Sequence, residues 1–80
     1  MNLNQAVMKR VEEILKQKLM SYYRLEINSG VNHSTMQKLK SADRTGCNLK
    51  TIFLLIYGLG VTPEEFFASP LFKEENIQID

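Results

Sequence analysis

The sequence predicts an all-α domain of five helices followed by a short tail. Three observations carry this. Apolar residues recur at the three- and four-residue spacing of a helix face. No stretch alternates apolar and polar residues over a period of two between turn residues, as a half-buried strand would. Each helical pattern also opens near a residue suited to cap a helix N-terminus, with glycine or proline marking several of the stops.

Val7, Val11, Ile14, Leu15 and Leu19 form one apolar stripe on a first helix of about 15 residues, with Asn4 as its cap. Ser21 caps a short second helix through about residue 29. Gly30 interrupts it, and Val31 is placed to drop into the core. Asn32 opens a third helix through about residue 40, with Met36 and Leu39 facing inward. Residues 41–48 read as a polar loop. Asn48 caps a fourth helix, 49 to about 58, which Gly60 stops. Its inner stripe is Leu49, Ile52, Leu55, Ile56 and Leu59. Thr62-Pro63-Glu64-Glu65 is a capping box with proline at the first helical position. The fifth helix reaches about residue 68, and Ser69-Pro70 ends it. Residues 1–70 form the domain and 71–80 the tail.

Eighty residues make one domain, and 44% hydrophobic with 24% charged residues is an ordinary globular composition. A chain of this size buries roughly 60–65% of its unfolded surface, which leaves little room for a deep cleft and favours binding modules over enzymes. Cys47 has no partner for an intramolecular disulfide, and with His33 it cannot supply the ligands of a zinc site. The acid pairs Glu12-Glu13 and Glu64-Glu65 are adjacent on helices and point about 100° apart. Gly58-x-Gly60 follows no strand, so it is not a dinucleotide loop. The expectation is no enzyme, no metal and no cofactor. The longest apolar run, 52–57, is far below the roughly 20 residues of a membrane span. No secretory pattern is visible, which makes the cytoplasm the expected compartment.

Net charge is +1, but its distribution is uneven. Residues 1–50 hold nine Lys/Arg against four acids; residues 51–80 hold one Lys against five acids. Such a chain can turn a basic face toward a polyanion.

Two helices of about eight residues meet at Gly30-Val31-Asn32, the layout of a helix-turn-helix over residues 21 to about 40. A glycine at the start of that turn accommodates a positive φ. The segment Leu25-Glu26-Ile27-Asn28-Ser29-Gly30-Val31-Asn32-His33-Ser34-Thr35-Met36-Gln37-Lys38-Leu39 resembles the helix-turn-helix of the phage Cro/repressor (XRE-type) DNA-binding family. Leu49-Lys50-Thr51-Ile52 and Leu59-Gly60-Val61-Thr62-Pro63-Glu64-Glu65-Phe66-Phe67 resemble that family's fourth and fifth helices. The resemblance covers about residues 5 to 68. It departs at Glu26, where the family usually has a small residue; the expectation is that its stem snorkels or that Arg24 or Lys38 neutralises it. It departs again at Cys47, a common proline position.

The resemblance implies a lambda-repressor-like fold and sequence-specific binding to double-stranded DNA as a transcriptional regulator. It implies a recognition helix starting at His33, with His33, Ser34, Gln37 and Lys38 at base edges. Lysine suits guanine and glutamine suits adenine in the major groove. Phosphate contacts are expected from Ser21, Tyr22, Thr35, Lys40, Arg44 and Asn48, the first and last of these at helix N-termini that favour an anion.

Helix four carries more apolar surface than one inner stripe needs: Phe53, Leu54 and Tyr57 are left over on its other flank. With Phe67, Leu71 and Phe72 they predict a homodimer interface, matching the family's two-fold dimers on half-sites about 34 Å apart. Alternatively, the tail folds back over this flank within one chain. The same flank supports the rival reading, a protein-interaction module of antitoxin or anti-repressor type with a protein partner in place of DNA.

Overall fold

In the computed structural model, which describes residues 1–41 and 48–78, α1 is Leu3–Lys18, α2 Tyr22–Ser29, α3 His33–Lys40, α4 Leu49–Leu59 and α5 Pro63–Phe67. Among the described residues there is no strand; a single bridge joins Asn2 and Gln78.

Five N-caps set the helix starts. Ser21, Asn32, Asn48 and Thr62 each accept a backbone N–H three residues on, as expected. The first cap is Asn2 rather than Asn4. Asn2 Oδ1 accepts from the Gln5 N–H at 2.8 Å, and Gln5 Oε1 accepts from the Asn2 N–H at 2.9 Å. That reciprocal box needs a Gln or Glu three residues after the cap, and Asn4 is followed there by Val7.

Gly30 and Gly60 end α2 and α4 with φ of +77° and +76°, the left-handed conformation that glycine adopts without cost. Leu19 ends α1 in the same conformation, at φ +54°. Its side chain is 94% exposed, so Leu19 is not part of the α1 stripe. The reversed backbone swings it away from the face that Ile14 and Leu15 bury. The chain then turns Met20 back against the core, with the Met20 N–H bonded to the Leu15 carbonyl.

The core draws on every helix, with Val11, Leu25, Met36, Leu55, Leu59 and Phe66 fully enclosed. Val31 is buried in the turn, as its position after Gly30 predicts. The inner stripe of α4 begins only at Ile52. Leu49, assigned to it by spacing, is 68% exposed, because periodicity fixes a face but not where along the axis the neighbouring helices end.

The most extensive helix packing joins α2 to α4. It closes on Gly58, where an added Cβ would lie 2.8 Å from Ser29 Cβ. Asn28 Nδ2 also donates to the Gly58 carbonyl at 3.3 Å.

Two cations finish other helix ends. Arg10 donates to the carbonyls of Phe66 at 2.8 Å and Glu65 at 2.7 Å, and Lys18 to that of Gly60 at 3.1 Å. Each meets the negative end of a helix dipole, so neither is spare charge for a ligand.

The tail forms 3-10 turns at Pro70–Phe72 and Glu74–Asn76. It returns to the N-terminus, where the Gln78 N–H donates to the Met1 carbonyl at 2.8 Å. Phe72 packs on Phe66 and Phe67, with ring centroids 5.8 and 5.0 Å apart. The tail is therefore packed against the domain.

Candidate nucleic-acid interface

α3 is amphipathic by position. Met36 and Leu39 are buried, and at 100° per residue they define one face. His33, Ser34, Gln37 and Lys38 occupy the opposite arc, and all four are exposed. Thr35 and Lys40 flank that arc on its two sides. The helix thus presents four adjacent hydrogen-bonding side chains on one outward face, supported from behind by a methionine and a leucine.

His33 is held. Its Nδ1 lies 3.1 Å from Glu26 Oε2 and 3.3 Å from Oε1, and its Nε2 lies 3.4 Å from Gln37 Nε2. The partner of Glu26 is therefore His33, not Arg24 or Lys38. Glu26 sits on the side of α2 that turns toward the start of α3, seven residues on, whereas Arg24 is exposed on the other side of α2 and Lys38 lies on the outward arc of α3. The Glu26 side chain is 15% exposed against 71% for His33, so the carboxylate is the sheltered member of the pair.

Tyr22 and Lys40 form a second cluster. The Lys40 ammonium stands 4.4 Å from the Tyr22 ring centroid, a cation–π contact. Gln5, Met8, Lys9 and Glu12 of α1 line the same shallow groove. Burial, and then the Glu12 carboxylate, push the Tyr22 phenol up to about 12, so it remains a neutral donor at physiological pH. Lys9 and Gln5 line the same groove as the candidate site residues Tyr22 and Lys40, a placement that the sequence reading missed. Gln5, Lys9 and Glu12 fall at i, i+4 and i+7, a polar stripe legible in the sequence; what it faces depends on how α1 packs.

Ser21 and Asn48 are engaged as caps. Ser21 Oγ accepts the Arg24 N–H at 3.0 Å, and Asn48 Oδ1 accepts the Thr51 N–H at 2.8 Å and the Thr51 hydroxyl at 2.9 Å. Each leaves first-turn N–H groups facing solvent. Arg44 and Cys47 lie outside the described residues.

The apolar flank of α4 is smaller than the sequence suggests. Leu54 and Phe72 are partly buried against the chain's own core, and Phe53 and Leu71 are half-buried. Tyr57 is 64% exposed and meets Phe53 edge-on, with ring centroids 5.9 Å apart; Phe67 is also exposed. Packing exposes other apolar groups that were not expected, Tyr23 and Ile27 on the outer side of α2 among them.

Among the described residues, no group of three or more His, Cys, Asp or Glu side chains is placed to hold a metal ion, and no helix is long and apolar enough to cross a membrane. No family model, curated protein or solved structure matches the chain. The reading of its function therefore rests on the geometry above.

Proposed function

We propose that this protein is a sequence-specific DNA-binding module with a lambda-repressor-like helix arrangement, using α3 as its recognition helix in the major groove. The observation that carries this reading is the outward arc of His33, Ser34, Gln37 and Lys38, on a short helix joined to α2 through a left-handed glycine and a buried valine. That support holds the arc's side chains in register, and base edges are distinguished only by side chains so held. The module serves as a transcriptional regulator, most simply a cytoplasmic repressor that blocks a promoter by occupancy.

The Ser21 and Asn48 helix ends, Thr35, and the Tyr22–Lys40 pair supply phosphate contacts, with Lys9 added from α1. Near-neutral net charge keeps non-specific affinity modest. Dimerisation through Tyr57, Phe53 and Phe67, with Leu54, Leu71 and Phe72 also contributing, would pair two recognition helices on a two-fold site.

The deciding experiment is fluorescence anisotropy on random-sequence duplexes from low to physiological salt, followed by sequencing of the retained fraction. The expected result is binding that weakens steeply with salt and an enriched two-fold site. Absence of binding at low salt would sink this reading. The exposed Tyr57 and Phe67 favour one second reading in that event, a protein-interaction module whose partner covers them.

A further inference from the structure

We infer that Glu26 and His33 act together as a positioning relay that orients the Gln37 amide and makes the protein select adenine over guanine. This rests on the DNA-reading proposal and names how one base is chosen.

For the neutral imidazole, the donor and acceptor roles follow one from another. An ionised carboxylate only accepts hydrogen bonds. Glu26 places both oxygens within 3.3 Å of His33 Nδ1, so that nitrogen carries the proton. In the neutral imidazole the other nitrogen, Nε2, is then a bare acceptor. Gln37 approaches it at 3.4 Å. The amide oxygen cannot face a nitrogen lone pair, so the Gln37 NH₂ must point there and donate. One N–H is consumed, leaving the Gln37 oxygen and its second N–H for a ligand.

One acceptor beside one donor is the complement of adenine, whose major-groove edge offers N7 as acceptor and the N6 amino group as donor. Guanine offers two acceptors, N7 and O6, and would set O6 against the Gln37 oxygen. Without Glu26 the ring is free to carry its proton on Nε2. It would then donate to the Gln37 oxygen, turning both amide hydrogens outward to suit guanine. Glu26 reaches no DNA in this scheme. It is sheltered between α2 and α3 and works through the exposed ring of His33.

Two measurements test the relay. The chain has one histidine, so imidazole ¹⁵N NMR of the free protein reads His33 without ambiguity. The expected result above neutral pH is the Nδ1-protonated tautomer in the wild type, lost in Glu26→Ala and weakened in Glu26→Gln, whose amide can donate to the ring as well as accept from it. A wild-type ring protonated mainly on Nε2 overturns the relay whatever the protein binds.

The second measurement is selection from a randomised duplex library by the wild type, Gln37→Ala, Glu26→Ala, Glu26→Gln and His33→Ala. The position read by Gln37 is the one whose preference vanishes in Gln37→Ala. There the wild type should prefer adenine. Glu26→Ala and His33→Ala should cut the adenine-to-guanine ratio at this position roughly tenfold, within the discrimination of one bidentate pair, and Glu26→Ala, which removes no DNA contact, should leave other positions and the salt dependence unchanged. Glu26→Gln should fall between the wild type and Glu26→Ala. His33 is exposed enough for its alanine variant to fold should Glu26→Ala fail to. A guanine preference in the wild type, or an unchanged ratio in His33→Ala, overturns the relay while leaving DNA reading intact. No binding at any salt overturns both.

Discussion

Alanine at Gly58 would place a methyl group where α2 and α4 already touch. Its Cβ would stand 2.8 Å from Ser29 Cβ and 3.0 Å from both Leu25 Cδ1 and Ser29 Cα. Carbon atoms pack best at about 3.5–4.0 Å, so α2 and α4 would have to part by roughly 0.5–1 Å, or Leu25 and the end of α2 would have to move. Forcing a methyl into a packed core costs roughly 1–3 kcal/mol. Removing glycine from a helix interior returns roughly 1 kcal/mol. The expected net is a destabilisation of about 1 kcal/mol, equivalent to roughly 4–8 °C in Tm for a domain of this size. The assay is thermal and urea unfolding followed by circular dichroism. Gly30→Ala is the control: nothing lies within 4 Å of its added Cβ, yet its φ of +77° makes alanine costly, by roughly 1–2 kcal/mol. If Gly58→Ala proved as stable as the wild type or more so, the α2–α4 contact would be loose and the reasoning wrong. Because α2 leads directly into the turn before α3, the same shift should also lower DNA affinity.

The remaining predictions concern charge, caps and the apolar flank. Lys9→Ala and Lys40→Ala should each reduce the slope of log affinity against log salt by about 0.9 without altering base preference, as read by anisotropy at several salt concentrations; a changed preference would place them at bases. Lys38→Ala should instead blur selection at defined positions in library sequencing. Asn48→Ala should cost about 1–2 kcal/mol in urea unfolding, because its side chain accepts from both the amide and the hydroxyl of Thr51; no loss would mean that α4 needs no cap. Tyr22 stays un-ionised in the fold up to about pH 12, whereas the unfolded chain ionises near 10.0. Its contribution is therefore complete below pH 10.0 and is lost as pH rises toward 12, by roughly 1 kcal/mol after discounting for the ring's partial exposure. Tyr22→Phe should flatten that part of the stability-against-pH curve, and an unchanged curve would refute the assignment. Phe53→Lys with Tyr57→Lys should give a folded monomer by ultracentrifugation and circular dichroism, whereas an unfolded chain would show that the flank is internal cover.

The sequence by itself determined the five helices and four of their five caps. Caps, left-handed glycines and the proline after Thr62 act within one turn of the chain, so Ser21, Gly30, Asn32, Asn48 and Gly60 were legible without neighbours. The buried face of α3 was legible for the same reason, since Met36 and Leu39 leave only one arc for His33, Ser34, Gln37 and Lys38. Tertiary structure decided which faces meet and where each contact ends. Leu19 and Leu49 match the helical period, but one follows a left-handed reversal and the other precedes the packed length of α4. Gly58 marked only the approximate end of α4 in the sequence, yet it admits Ser29 at a distance no side chain would allow. Lys9 was one solvated charge among several until packing set it beside Tyr22 and Lys40. Glu26 was matched to Arg24 or Lys38 by sequence, and only the rotation of α3 against α2 puts His33 beside it instead. Local rules are set by backbone geometry and travel with the sequence. Pairings between elements depend on how far each helix extends and how it is rotated against the next, and only the folded chain fixes that.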